Sequence, residues 1–398
     1  MKGPAVTGPF ELSAELSERE QAGLLRSRVA TDGASGGRLK VGGGDYLNFS
    51  ANDYLGLADH PAIKVAFQEG IERYGAGAGA SPLVTGYSRA HQQLEETLAE
   101  WLGLEAVLLF NCGFSANQAV LKALLGKEHL LWQDKLNHAS LQEMGSQLPC
   151  KMKRFGHNDM AALERQLEPN RGLIVSEGVF SMDGDQGPWR ELSQLAARSG
   201  NWLMIDDAHG LGVLGPQGRG TLAAQGVNPA GVHIQMGTFG KALGVAGAFV
   251  GGSRELVAYL VNFARHYVYS THMPAAQACA VSQSIALVRA ADEARAQLGE
   301  LITRFRQGAQ ALGWRLGDSN TPIQPLLVGE SCAALQLAER LRECGVWAGA
   351  IRPPTVPVGT ARLRITLSAA HREEDVDRLL DVLGPCQATD ERGGTHAA

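Results

Sequence analysis

Trp202-Leu203-Met204-Ile205-Asp206-Asp207-Ala208-His209-Gly210 decides how this chain folds. A run of apolar residues followed at once by two carboxylates and an imidazole describes a buried strand that ends at a polar site. Burying a carboxylate there is costly unless a cation compensates it. A protonated ring nitrogen is one such cation. A metal ion is another, because Asp and His are both ligands, but no second His/Asp cluster completes a metal site.

Outward from this strand, two periods alternate. Residues 172–176, 234–236 and 248–250 read as further strands, and residues 189–198 as a helix. Upstream, 106–110 is a buried strand and 117–125 a helix, while Leu94, Leu98, Trp101 and Leu102 mark one helical face. Such alternation predicts an α/β fold, a mostly parallel sheet covered on both faces. Ligands of such sheets sit beyond the carboxyl ends of the strands. The pattern changes after residue 286, where helices at 297–312, 332–344 and 373–383 and strands at 323–328 and 362–367 predict a smaller α+β domain. The last strand alternates polar and apolar, as a half-buried strand does. Before the large domain lie a helical stretch at 12–29 and a loop at 33–44, and a short strand at 46–49 opens it. The expected divisions are an N-terminal segment 1–45, a large domain 46–286, a small C-terminal domain 287–386 and a disordered tail 387–398.

Composition narrows the partners. A net charge of -5 over 398 residues gives no basic footprint for nucleic acid, although a local arginine cluster can still take an anionic substrate. The six cysteines form no CxxC pair, which suits reduced thiols. Met1 to Phe10 has no basic region followed by an apolar run, and no stretch reaches membrane-spanning length. The expectation is a cytoplasmic protein with no membrane, metal or nucleic-acid partner.

Three further segments carry chemistry, each beyond a strand. Asn111-Cys112-Gly113-Phe114-Ser115-Ala116-Asn117 opens a helix, whose free N–H groups suit a phosphate, although taken alone the segment reads as an ordinary strand-helix turn. Gly237-Thr238-Phe239-Gly240-Lys241-Ala242-Leu243-Gly244 places a lysine in a glycine-rich turn. A lysine that forms a Schiff base needs a lowered pKa and close backbone approach, which the glycines permit. It is not a nucleotide-binding loop, because Ala242 follows the lysine where Ser or Thr is required. Leu136-Asn137-His138-Ala139-Ser140 adds an imidazole.

With Asn52-Asp53-Tyr54-Leu55-Gly56-Leu57, Gly86-Tyr87-Ser88-Arg89-Ala90-His91 and Glu177-Gly178-Val179-Phe180-Ser181-Met182-Asp183-Gly184-Asp185, these segments stand in order along one chain. From about residue 12 to residue 383 the sequence resembles the α-oxoamine synthases, acyltransferases of fold type I that use pyridoxal 5'-phosphate. The resemblance implies that Lys241 holds the cofactor aldehyde and acts as base, and that Asp206 pairs with the ring nitrogen. It implies that His209 and Ser181 address the ring hydroxyl and His138 stacks on the ring. Gly113, Phe114 and Thr238 would hold the phosphate. Arg26 and Thr355 would contact substrate, and Arg352 would pair with the amino-acid carboxylate. The family commonly has a hydroxyl residue near Cys112, so a side-chain phosphate contact there is in doubt.

Val261-Asn262-Phe263-Ala264-Arg265-His266, Ala350-Ile351-Arg352-Pro353-Pro354-Thr355-Val356-Pro357 and Gly359-Thr360-Ala361-Arg362-Leu363-Arg364 are most similar to the members that serve biotin biosynthesis. Those condense L-alanine with a pimeloyl thioester, on coenzyme A or an acyl carrier protein, and release carbon dioxide. A sibling synthase using glycine or serine and another acyl-CoA is the nearest alternative, since one methyl is worth only about 1–3 kcal/mol in a pocket. An aminotransferase and a non-catalytic regulator that binds the same cofactor are the others. The resemblance also implies a homodimer with its active sites at the subunit interface. The Gly75-Ala76-Gly77-Ala78-Gly79-Ala80-Ser81 run suits such an interface, or equally a surface loop.

Overall fold

The computed structural model describes residues 12–35 and 37–387. The expected tail therefore lies outside the described residues, except Gln387, which ends the helix Glu373–Gln387. Met1 to Phe10 lies outside them as well.

Seven strands form the main sheet: β1 (Ala106–Phe110), β2 (Leu130–Asp134), β3 (Lys151–Phe155), β4 (Gly172–Glu177), β5 (Trp202–Asp206), β6 (Ile234–Thr238) and β7 (Ala248–Gly252). Their order across the sheet is β1-β7-β6-β5-β4-β2-β3. The pairs β3/β2, β2/β4, β4/β5 and β5/β6 are parallel, while β7 runs antiparallel to both β6 and β1. Crossover helices cover both faces, which is why these strands read as apolar runs without alternation. Along β5, Met204 packs into one apolar layer, with Ala116, Val120 and Leu141. Leu203 and Ile205 pack into the other, with Trp189 and Leu192. The last residues of β4, β5 and β6 are Glu177, Asp206 and Thr238, so the chemical residues gather at one edge of the sheet.

The smaller sheet takes Ile323–Gly329, Ala361–Thr366 and Gly349–Ile351, in that order. Here the structure corrects the sequence reading. Ala361–Thr366 is not half-buried but buried at every position. Its polar residues, Arg362 and Arg364, face the main domain rather than water. The helix Ala275–Arg289 runs without a break across the expected division at 286/287.

The N-terminal segment differs more. The helix expected over 12–29 ends at Gln21. The expected loop at 33–44 is a run of three antiparallel strands, Gly33–Ser35, Arg38–Val41 and Gly44–Asn48, joined in parallel by Val346–Trp347. Gly42 and Gly43, with φ of 55° and 81°, make its tight turn. A Gly-Gly pair between extended residues is a hairpin signal that loop-like composition concealed. No helix of the described residues is long and apolar enough to cross a membrane.

Candidate active site

Asp206 closes β5, and both its oxygens are bonded. Asn117 Nδ2 donates to Oδ2 at 2.8 Å, and the Ala208 N–H donates to Oδ1 at 3.1 Å. The expected pair of site carboxylates divides into two tasks. Asp207 turns away and accepts from the Thr221 N–H at 2.8 Å and the Thr221 hydroxyl at 2.6 Å. Burial pushes its carboxyl up to about 7, against the hydrogen bonds from Thr221. Asp207 thus braces the loop, while Asp206 is the carboxylate available to a ring nitrogen.

Asn117 has a second role, because its Nδ2 also donates to Ser140 Oγ at 3.0 Å. Ser140 Oγ lies 2.8 Å from His138 Nδ1, and the Ser140 N–H donates to the same nitrogen at 3.2 Å. His138 is thereby the N-cap of the helix Ala139–Gln147. A backbone N–H can only donate, so Nδ1 is the acceptor and the neutral ring carries its proton on Nε2. Burial lowers the pKa of His138, and nearby Lys241 lowers it further, outweighing the opposite pull of Asp206.

Lys241 follows β6 in a tight turn, where its carbonyl accepts from the Gly244 N–H at 2.8 Å. Gly244 has φ +67°, and a Cβ there would lie 2.5 Å from Ala58 N, so the turn admits only glycine. Burial lowers the ammonium to about 8 against the pull of Asp206 and Glu177, with Arg364 adding to the lowering. That is the condition a lysine nucleophile requires.

The helix expected to seat a phosphate starts earlier than the sequence reading placed it. The helix begins at Gly113 rather than 117. A Cβ built on Gly113 would lie 3.9 Å from Thr238 Cβ and 3.7 Å from Met236 Cε, so Gly113 and Thr238 frame one space. The Thr238 hydroxyl donates to Gly247 O at 2.9 Å and must rotate to serve a phosphate. Cys112 is the residue before the helix, with Sγ 3.4 Å from Ser115 Oγ. Phe114 meets the His138 ring edge-on at 6.2 Å.

His209 is buried, and Tyr54 Oη lies 2.6 Å from its Nδ1. Burial holds the imidazole well below its usual range, with Lys241 and Arg364 adding to the effect, while burial pushes the Tyr54 phenol up to about 12. Nε2 is left for a ring hydroxyl. Ser181 lies in the turn after β4, where its carbonyl accepts from Arg364 Nε at 2.6 Å. Arg364 Nη1 also reaches Asn52 Oδ1 at 3.2 Å. Arg26 and Thr355 do meet, at an exposed outer rim, whereas the Arg352 side chain bonds to the backbone. Arg26 Nη2 donates to Thr355 Oγ1 at 3.5 Å, and Arg352 Nη1 donates to Gly23 O.

Sequence reasoning passed over Asn117, Ser140, Tyr54, Asn52 and Arg364, although each lies inside a segment quoted for another residue. The missed signal was a polar residue on a buried face, such as Asn117 among Ala116, Ala119, Val120 and Leu121. Glu177 was also missed. Burial raises its carboxyl well above the usual range, helped by the Asp206 charge, and Oε1 has no partner. Among the described residues, no group of three His, Cys, Asp or Glu side chains is placed to hold a metal ion.

The arrangement fits pyridoxal phosphate: an anion seat at a helix start, a bonded carboxylate, a softened lysine and two neutral imidazoles around one space. Residues 44–383 match the aminotransferase class I and II family. An 8-amino-7-oxononanoate synthase of Aeromonas hydrophila is 90% identical over 398 residues, all of both chains. The chain belongs to the 8-amino-7-oxononanoate synthases of that family.

Two solved structures resemble it. A serine palmitoyltransferase (SPT) with a pyridoxal phosphate internal aldimine superposes with a TM-score of 0.89 at 26% identity, over 95% of this chain and 97% of its own. An 8-amino-7-oxononanoate synthase of Francisella tularensis gives 0.78 at 26% identity, over 87% and 99%. The higher score goes to the sibling enzyme, because the score measures backbone shape, which siblings share. The sequence identity of 90% assigns the subfamily. The fold is that of a fold type I pyridoxal-phosphate enzyme.

Proposed function

We propose that this 8-amino-7-oxononanoate synthase, an acyltransferase of biotin biosynthesis, condenses L-alanine with a pimeloyl thioester, giving 8-amino-7-oxononanoate, carbon dioxide and the free thiol. The observation that carries this reading is the site around Lys241 in a chain 90% identical to a synthase of that name. Bound pyridoxal phosphate supplies an aldehyde for an amine and a ring that accepts the electrons of a carbanion.

The protein's own groups do the rest. Lys241 Nζ would hold the aldehyde and is the base for the Cα proton of alanine, help of roughly 10²–10⁴-fold for a positioned base. Asp206, held by Asn117 and Ala208, would keep a ring nitrogen protonated. His138, with its proton on Nε2, would pack against the ring. His209 and Ser181 would hold the ring hydroxyl, and Gly113, Phe114 and Thr238 the phosphate. Two arginines are candidates for the alanine carboxylate. Arg352 is the one the sequence suggests, whereas Arg364 is the buried cation whose charge acts on Lys241. Arg26 and Thr355 would take the thioester side.

A second copy of the chain completes the proposal. Val84 is 73% exposed, Tyr269 70% and Phe263 59%, apolar side chains that a second copy would cover. The exposed Gly75-to-Gly79 stretch lies just before Val84 in the chain. The thiol carrier would be coenzyme A or an acyl carrier protein, and the setting cytoplasmic.

The test is to incubate the protein with L-alanine or glycine and a panel of acyl thioesters and follow free thiol. Release with alanine and pimeloyl thioester is expected. Release only with glycine or serine and another acyl group would make it a sibling synthase.

A further inference from the structure

His157 lies outside every group assigned above, yet both its ring nitrogens face carboxylates. Nδ1 is 3.1 and 3.2 Å from the two oxygens of Asp134, and Nε2 is 2.6 Å from Asp185 Oδ2. A neutral imidazole has one N–H and would turn a lone pair toward one carboxylate. Only the imidazolium satisfies both. Burial pulls its pKa down, but hydrogen bonds and charges from Asp134 and Asp185 together push it up to about 10. The other face contact is the Phe180 ring, edge-on at 4.4 Å.

The two carboxylates belong to the two loops that carry His138 and Ser181. Asp134 ends β2, and its Oδ1 accepts from the Leu136 N–H at 2.8 Å, two residues before His138. Asp185 closes the turn that holds Ser181, where the Phe180 N–H donates to Asp185 O at 2.9 Å. Asp185 Oδ1 is enclosed and has no hydrogen-bond partner, so the charge of this carboxylate rests on His157 and Asn158 Nδ2, both at Oδ2. The same turn is held from the small domain. Arg362 Nη1 meets Asp183 Oδ1 at 2.5 Å, Arg364 Nε meets Ser181 O, and Thr321 Oγ1 donates to Gly184 O at 2.8 Å.

We propose that His157 is a positioning residue, a permanently charged clamp that joins the His138 loop to the Ser181 turn and so fixes the two groups that grip the cofactor ring from different sides. The inference rests on the pyridoxal-phosphate reading above. Removing the charge frees the Asp185 carboxylate from its one cation and lets the 180–185 turn follow the small domain instead of β2. The consequence falls on cofactor retention and on kcat, with the outer substrate contacts untouched.

The experiment compares the wild-type protein with His157→Gln, which is neutral, and His157→Lys, which restores one charge between the two carboxylates. Three quantities are measured: pyridoxal phosphate dissociation by equilibrium dialysis, kcat and KM for both substrates, and the melting temperature of the cofactor-free proteins. His157→Gln is expected to raise the cofactor dissociation constant and lower kcat, each by about tenfold, the loss of one charged hydrogen-bond pair. KM for the thioester is expected to stay within about twofold, because His157 bonds to Asp134 and Asp185 while Arg26 and Thr355 bond to each other. His157→Lys is expected to recover most of both. Wild-type retention in His157→Gln, or equal damage in Gln and Lys variants that melt alike, would overturn the clamp. If His157→Gln does not fold, Asp185→Asn breaks the bridge from the other side and must show the same split. Failure of the wild-type protein itself to bind pyridoxal phosphate would instead overturn the functional reading.

Discussion

Behind Lys241, the side chains of Asp206, Asn117, Ser140 and His138 form an unbroken chain of contacts of 2.8–3.0 Å. At the outer rim, Arg26 reaches Thr355 at 3.5 Å in an exposed setting. In the first group Asp206, Asn117 and Ser140 are buried and His138 is open to solvent, and all four are bonded and carried by strand ends and helix starts. The second lies on connecting segments, at 22–32 and 352–360. The contrast separates two demands. Cofactor chemistry needs fixed charges in a dry place, where each is worth more. A long acyl chain needs an opening.

Lys241→Ala should lower turnover by on the order of 10⁴-fold or more, since both base and anchor are lost. Steady-state assay checks this, and full activity would break the account of the inner region. Arg364→Lys should lower kcat/KM for L-alanine by about 10- to 100-fold, the range of one charged hydrogen-bond pair. Arg352→Lys should do less, and the reverse order would move the carboxylate site to the rim. Capture of the cofactor aldehyde by the unloaded protein requires neutral Lys241. Stopped-flow rates should therefore rise about tenfold per pH unit below the lysine pKa of about 8 and level off above it. Asn117→Ala should cost about tenfold in kcat, because a buried carboxylate loses a donor. Thr355→Ala should raise KM for the thioester by no more than about threefold, as exposed contacts contribute little.

The inner region was also the more legible in the sequence. Apolar strands that stop at Asp206, Thr238 and Asn111 announce a parallel sheet and its functional edge, and the structure assembles them there. The supporting residues were harder to see. Asn117 and Ser140 act through partners 89 and 23 positions away. Arg364 alternates with apolar neighbours just as an exposed residue would, and only the packing of the small domain buries it. His157 gave no signal, since its two carboxylates lie 23 and 28 positions off in different loops. The first two strands, within 33–44, were hidden for a different reason: glycine-rich composition looks like a loop until the strand Gly44–Asn48 supplies a partner.

The most direct measurement is to reduce the pyridoxal-phosphate-loaded protein with borohydride and map the labelled peptide by mass spectrometry. The account requires the reduced cofactor on Lys241. A label on any other lysine, or on none, would contradict it.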